Sequence, residues 1–215
     1  MPSHRSRILI ADIHTLFVEL CKKLLEPEFE VVGSVPNGRA LVQAAEELKP
    51  DAILLDVTLP VLNGLDAGER VKQVLPAVKL VYLTMNSDPQ VVAEAFHRGA
   101  SGYLLRTCTP SELLNAFREV LRGKTYLSPQ LPKETVNFLR RQDKRMVDED
   151  ARLTARQREA LQLLAEGRVM KEVGDLLNLT TRTVAFHKYR IMEAIGARNG
   201  AELIRYAVRS HLISA

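Results

Sequence analysis

The chain has 215 residues, of which 46% are hydrophobic and 26% charged, with a formal net charge of +4. This is the balance of an ordinary globular protein with one large or two small domains, and no apolar run approaches the roughly 20 residues that a membrane-spanning helix needs. The basic start MPSHRSR precedes an apolar run too short for a signal peptide, so a cytoplasmic protein is expected, with Cys21 and Cys108 as reduced structural thiols.

From residue 6 to residue 122, short apolar runs alternate with segments of helical spacing. The runs are RILIA (7–11), FEVVGSV (29–35), AILLD (52–56), KLVYLT (79–84) and GYLL (102–105). The first helical segment is marked by Leu16, Glu19, Leu20, Lys23 and Leu24. The second is marked by Leu41, Ala44, Ala45 and Leu48, and stops before Pro50. Another has Val91, Val92, Ala95 and Phe96, and stops at Gly99. The last has Leu113, Leu114, Phe117, Val120 and Leu121. Strands alternating with helices predict a parallel sheet, and continuous apolar strands suit one covered on both faces. The expected fold is therefore a doubly wound α/β domain of five parallel strands in the order 2-1-3-4-5.

Residues 123–152 hold prolines and then a dense mixture of charges, which predicts a linker with one short helix around KETVNFLRR. Residues 153–215 predict a second, all-α domain of four helices. Thr154 and Gln157 form a capping box for the first. A helix over about 169–177 meets the next through Asn178-Leu179-Thr180, the spacing of a helix-turn-helix. The third helix runs from Thr180 or Thr181 to Gly196, and the fourth spans about 200–209. Residues 1–122 carry 13 basic and 15 acidic side chains, whereas residues 153–215 carry 10 and 6, so a polyanion partner is expected at the C-terminal end.

In the order 2-1-3-4-5, Asp12 and Asp56 end neighbouring strands. Thr84 ends the fourth and Arg106 follows the fifth, so all four meet at one sheet edge. Two acids, a hydroxyl and a cation suit Mg²⁺ with a phosphoryl group. ILIADIHTLF, AILLDVTLPVLNGLD, KLVYLT and GASGYLLR together resemble the receiver domain of bacterial two-component response regulators. The resemblance covers residues 6–122. It implies Asp56 as phosphoacceptor, Thr84 and Tyr103 as the switch pair, and Asp12, Asp56 and the Thr58 backbone carbonyl as Mg²⁺ ligands. Two departures stand out. Ile13 takes the place of a second acid, which weakens the metal site, and Arg106 takes the place of a lysine.

Residues 153–212 resemble the LuxR-type helix-turn-helix of NarL/FixJ response regulators through Leu153, Thr154, Arg158, Glu159, Gly167, Lys171, Glu172, Leu176, Thr183, Val184, His187, Ile191, Gly196 and Ala201-Glu202-Leu203. The resemblance implies that the third helix reads double-stranded DNA, with Ala185, Phe186 and Tyr189 facing bases. Phosphate contacts would come from Lys171, Arg182, Thr183, His187, Lys188 and Arg190. Ala185 and Phe186 make no bidentate hydrogen bond, so modest base readout is expected. The last helix, with Leu203, Ile204, Ala207 and Val208, would be the dimer contact. The expected function is a homodimeric DNA-binding regulator fed by a sensor histidine kinase. In the usual scheme the unphosphorylated receiver masks the recognition helix. The rival readings are a regulator independent of phosphorylation, or a protein-interaction adaptor. No enzymatic activity is expected.

Overall fold

The computed structural model describes residues 5–142 and 153–213. Six strands form one parallel sheet in the order β2-β1-β3-β4-β5-β6. They are β1 (Arg7–Ala11), β2 (Glu30–Val35), β3 (Ala52–Leu55), β4 (Lys79–Thr84), β5 (Ala100–Leu105) and β6 (Tyr126–Leu127). The first five follow the expected order. The sixth corrects the expected count of five. It is a two-residue strand in which Tyr126 and Leu127 pair with Gly102 and Tyr103.

The helices of the sheet domain are α1 (Thr15–Leu25), α2 (Gly38–Leu48), α3 (Gly64–Val74), α4 (Pro89–His97) and α5 (Pro110–Leu121). Strand alternation divides the core between the two faces of the sheet. Leu9, Ala11, Ile53, Leu55, Leu80 and Tyr82 point toward α2, α3 and α4. Ile8, Ile10, Ala52, Leu54, Val81 and Leu83 point toward α1 and α5. Helix α3, for which no apolar marker set was read from the sequence, is started by Asn63, whose side chain accepts from the Asp66 amide.

The face of α1 differs from expectation. Val18, Cys21 and Leu25 are its buried residues, whereas Leu16 is 86% exposed and Leu20 is also exposed. Both sets have helical spacing, and periodicity alone does not choose between them.

Part of the expected linker belongs to the sheet domain. Helix α6 (Lys133–Gln142) lies beside α4, Leu131 joins the core, and the buried Ser128 hydroxyl donates to Glu112 Oε1 at 2.7 Å. The rest of that expected linker, residues 143–152, lies outside the described residues.

The C-terminal unit is α7 (Ala155–Ala165), α8 (Met170–Leu177), α9 (Thr181–Ile195) and α10 (Gly200–Arg209). Thr154 and Gln157 form the expected capping box. Asn178 and Gly196 end α8 and α9 in the left-handed conformation. Leu161, Val173, Leu177, Val184, Ile191, Leu203 and Ala207 fill the core of this unit.

Candidate functional site

The C-terminal ends of β1 and β3 bring Asp12 and Asp56 together, at 6% and 5% exposure. Every oxygen of the pair has a partner. Asp12 Oδ1 accepts from the His14 amide at 2.8 Å and lies 2.9 Å from His14 Nδ1. Asp56 Oδ1 accepts from the Val57 amide at 2.7 Å. Asp56 Oδ2 accepts from the Thr58 hydroxyl at 3.1 Å and from Arg106 Nη2 at 2.9 Å. The same Nη2 also donates to Asp12 Oδ2, so one guanidinium bridges both carboxylates. The Phe17 ring lies 4.5 Å beneath the Arg106 Cζ and holds the guanidinium from its other side.

The loop after Asp56 is pinned by Gly64. A Cβ there would meet the Asp56 carbonyl oxygen at 1.8 Å, so only glycine lets α3 begin this close to the pocket.

Thr84 and Tyr103, the expected switch pair, both face inward. Thr84 is buried, and its hydroxyl accepts from the Asn86 amide at 3.3 Å. Tyr103 is fully buried, stacks on Tyr82 at 6.1 Å, and donates its hydroxyl to the Asn86 carbonyl at 2.9 Å. Burial, and then the nearby Asp56 charge, push the Tyr103 hydroxyl well above its ordinary pKa.

On α9, Val184 and Ile191 face the core, and the opposite side is open. Arg182, Ala185, Phe186, Tyr189 and Arg190 are exposed, with Phe186 at 62% and Tyr189 at 66%. Thr183, His187 and Lys188 are half-buried at its edges, and Lys171 is exposed on α8. The Thr183 hydroxyl is 2.8 Å from that of Thr180, the residue that caps α9. Arg190 pairs with Glu193 at 3.0 Å. On α10, Leu203 and Ala207 pack inside their own unit, whereas Ile204 is exposed.

The expected masking of the recognition helix is not what the structure holds. The sheet domain grips α7 and the last turn instead, and none of the described residues covers the outer face of α9. Gln162 carries the main contact. Its Nε2 donates to the Leu59 carbonyl at 2.9 Å, and its Oε1 accepts from the Asn63 amide at 2.8 Å. Glu166 accepts from the Val61 amide at 2.9 Å, where the Val61 backbone has φ +68°.

Glu159, only 1% exposed, lies 3.2 Å from Arg39, 3.1 Å from Arg70 and 3.0 Å from Arg156. Burial opposes its charge, but hydrogen bonds from Arg70 and Arg156 outweigh it and hold the carboxyl below the usual glutamate range. Arg158 reaches back to Asp66 at 3.3 Å. At the other end, His211 Nδ1 lies 3.0 Å from Asn86 Nδ2, and His211 Nε2 lies 3.4 Å from Asp88. The helical unit thus touches the loop that follows Asp56 and the loop that follows β4. Sequence reasoning missed these contacts because the partners lie about a hundred positions away in the chain.

Comparison with known proteins agrees with this architecture. Residues 8–118 match the family described as response regulator receiver domain, and residues 151–207 match bacterial regulatory proteins of the luxR family. The transcriptional regulatory protein DegU of Brevibacillus brevis is 30% identical, covering 96% of this chain and 94% of that one. The transcriptional regulatory protein LiaR of Bacillus subtilis is also 30% identical, over 97% and 99%. Among solved structures, RcsB of Salmonella enterica serovar Typhimurium, bound to promoter rprA in the presence of phosphomimetic BeF3-, is 25% identical. It covers 94% of this chain and 98% of that one, with a TM-score of 0.60.

Proposed function

This chain belongs to the response regulators that join a receiver domain to a LuxR-type helix-turn-helix and is a DNA-binding transcriptional regulator, and we propose that its DNA binding does not depend on a phosphoryl group at Asp56. One observation carries the reading: Arg106 occupies the position of the counter-cation. Mg²⁺ in such a pocket would draw on Asp12, Asp56 and the Thr58 carbonyl. Here a guanidinium nitrogen already bonds both carboxylates, and Ile13 offers no side-chain oxygen. A divalent ion would have to compete with the guanidinium for these same two carboxylates.

In this reading α9 meets DNA through its open face. Ala185, Phe186 and Tyr189 lie toward the bases. Arg182, Thr183, His187, Lys188 and Arg190, with Lys171 of α8, lie toward the phosphates. Two chains bind a two-fold site through the exposed flank of α10 around Ile204. A sensor kinase, if one docks, acts by binding rather than by transfer.

The test is intact mass after incubation with Mg²⁺ and a small acyl phosphate, beside operator binding by wild type and Asp56→Asn. No mass gain and equal binding are expected. A phosphoryl gain on wild type alone that changes its DNA affinity overturns the reading.

A further inference from the structure

The base-facing part of α9 has an uncommon composition, which specifies what it reads in DNA. Ala185, Phe186 and Tyr189 follow one another on the open side of the helix, at spacings of one and three residues. Ala185 and Phe186 carry no side-chain donor or acceptor. Tyr189 adds one hydroxyl, at the far end of its ring. The Phe186 ring lies edge-on to the His187 ring, with centroids 6.3 Å apart, so it has a neighbour on one side and solvent on the other.

Arg182 shares this face one turn earlier, beside the N-capping Thr180, three and four residues before Ala185 and Phe186. Lys188 is on the flank toward Arg168 and Met170, and Arg190 is held by Glu193. The middle of the face is thus an apolar ridge, with one cation at its N-terminal end and the others at its sides.

In the major groove only one feature rewards an apolar ridge, the C5-methyl group of a pyrimidine. Guanine, adenine and unmethylated cytosine offer donors and acceptors there, and burying them against Ala185 and Phe186 leaves those groups without partners.

Resting on the DNA-binding reading above, we propose that Ala185 and Phe186 make α9 a reader of pyrimidine C5-methyl groups, so that its half-sites are defined by methyl contacts rather than by hydrogen bonds to guanine or adenine. Thymine supplies this methyl in ordinary DNA and 5-methylcytosine supplies it in modified DNA. The ridge touches the methyl alone.

The full chain tests this by selection from random duplex pools. One pool carries thymine, one carries deoxyuridine instead, and one carries deoxyuridine with 5-methylcytosine. Strong sites are expected from the thymine pool. Remade with deoxyuridine, they should weaken about fourfold for each methyl lost, and so by at least tenfold for a two-fold site. The slope of affinity against salt should not change, because the phosphate contacts are the same. Sites enriched in the third pool identify 5-methylcytosine as a second source, and their absence there restricts the reader to thymine.

Phe186→Ala, at an exposed position, should bring the thymine-to-deoxyuridine ratio toward one. Equal binding of thymine and deoxyuridine sites overturns the methyl reading and leaves DNA binding intact; sites defined by guanine would then point to Arg182 as the reader. No enrichment from any pool overturns the DNA contacts assigned to α9 as well.

Discussion

Arg106 is the residue on which the receiver pocket turns. A guanidinium is always charged and presents several donors in one plane, so a single side chain can span two carboxylates that would otherwise repel each other in a buried place. Removing it strands Asp12 and Asp56. Arg106→Ala is expected to lower stability by about 3 kcal/mol, the scale for a buried pair that loses one partner. It also vacates the position next to both acids. Millimolar Mg²⁺ should therefore raise the urea midpoint of Arg106→Ala and leave the wild-type midpoint unchanged. Equal Mg²⁺ effects on the two proteins would show that the guanidinium and the metal do not compete. The cysteines behave differently because burial, with Asp12 near Cys21 and Glu112 near Cys108, outweighs the help that Arg106 gives the Cys21 thiolate. Burial pushes the Cys21 thiol up to about 12 and the Cys108 thiol up to about 11. Since the thiolate is the nucleophile, both should resist a disulfide reagent at pH 8 until the protein is unfolded. Rapid stoichiometric labelling of the native chain would contradict this.

Helix α1 shows what a sequence withholds at the scale of an element. Its limits were legible, but its face was not. Leu16 and Leu20 lie on one helical stripe and Val18, Cys21 and Leu25 on another, with Leu24 half-buried beside the second. The sheet selected the second, and no local signal says which stripe a sheet will cover. The energies should follow the structure. Leu25→Ala is expected to cost about 3 kcal/mol, because Leu25 is fully buried between the sheet and its helices. Leu16→Ala should stay within about 0.5 kcal/mol in urea denaturation. The reverse order would mean that the exposed stripe is covered in solution. By contrast, Asp12, Asp56, Thr84 and Arg106 were legible as a set, because strand order alone brings strand ends to one edge. Helix α9 was legible for a similar reason, since its cap, length and apolar back are all local. Strand β6 was not, because two residues between turns carry no periodic signal.

At the scale of the whole molecule, the receiver and the DNA-binding unit are joined by polar groups that each need a partner from the other side. Gln162 satisfies one backbone carbonyl and one backbone amide of the loop that follows Asp56, and Glu159 gathers two receiver arginines around one buried carboxylate. Orphaning a buried polar group costs about 1–3 kcal/mol. Gln162→Ala orphans two, so docking should weaken by about 2 kcal/mol or more, roughly thirtyfold in the ratio of docked to free units. Small-angle scattering should then show a larger radius of gyration for Gln162→Ala than for wild type at neutral pH. The pH dependence has a definite sign. The Glu159 carboxyl is held below its ordinary value by Arg70 of the receiver and by Arg156 of its own helix, so the part that Arg70 and Arg39 add on docking is complete above the ordinary glutamate range and is lost only as pH falls through the lowered value. Wild type should therefore stay compact through pH 5 and open below about pH 4, whereas Glu159→Gln should be equally open at both. Because the open face of α9 is not used in docking, Gln162→Ala should bind a single half-site as tightly as wild type while changing the preferred spacing of paired half-sites. A large gain in half-site affinity on undocking would instead mean that the receiver holds α9 back from DNA.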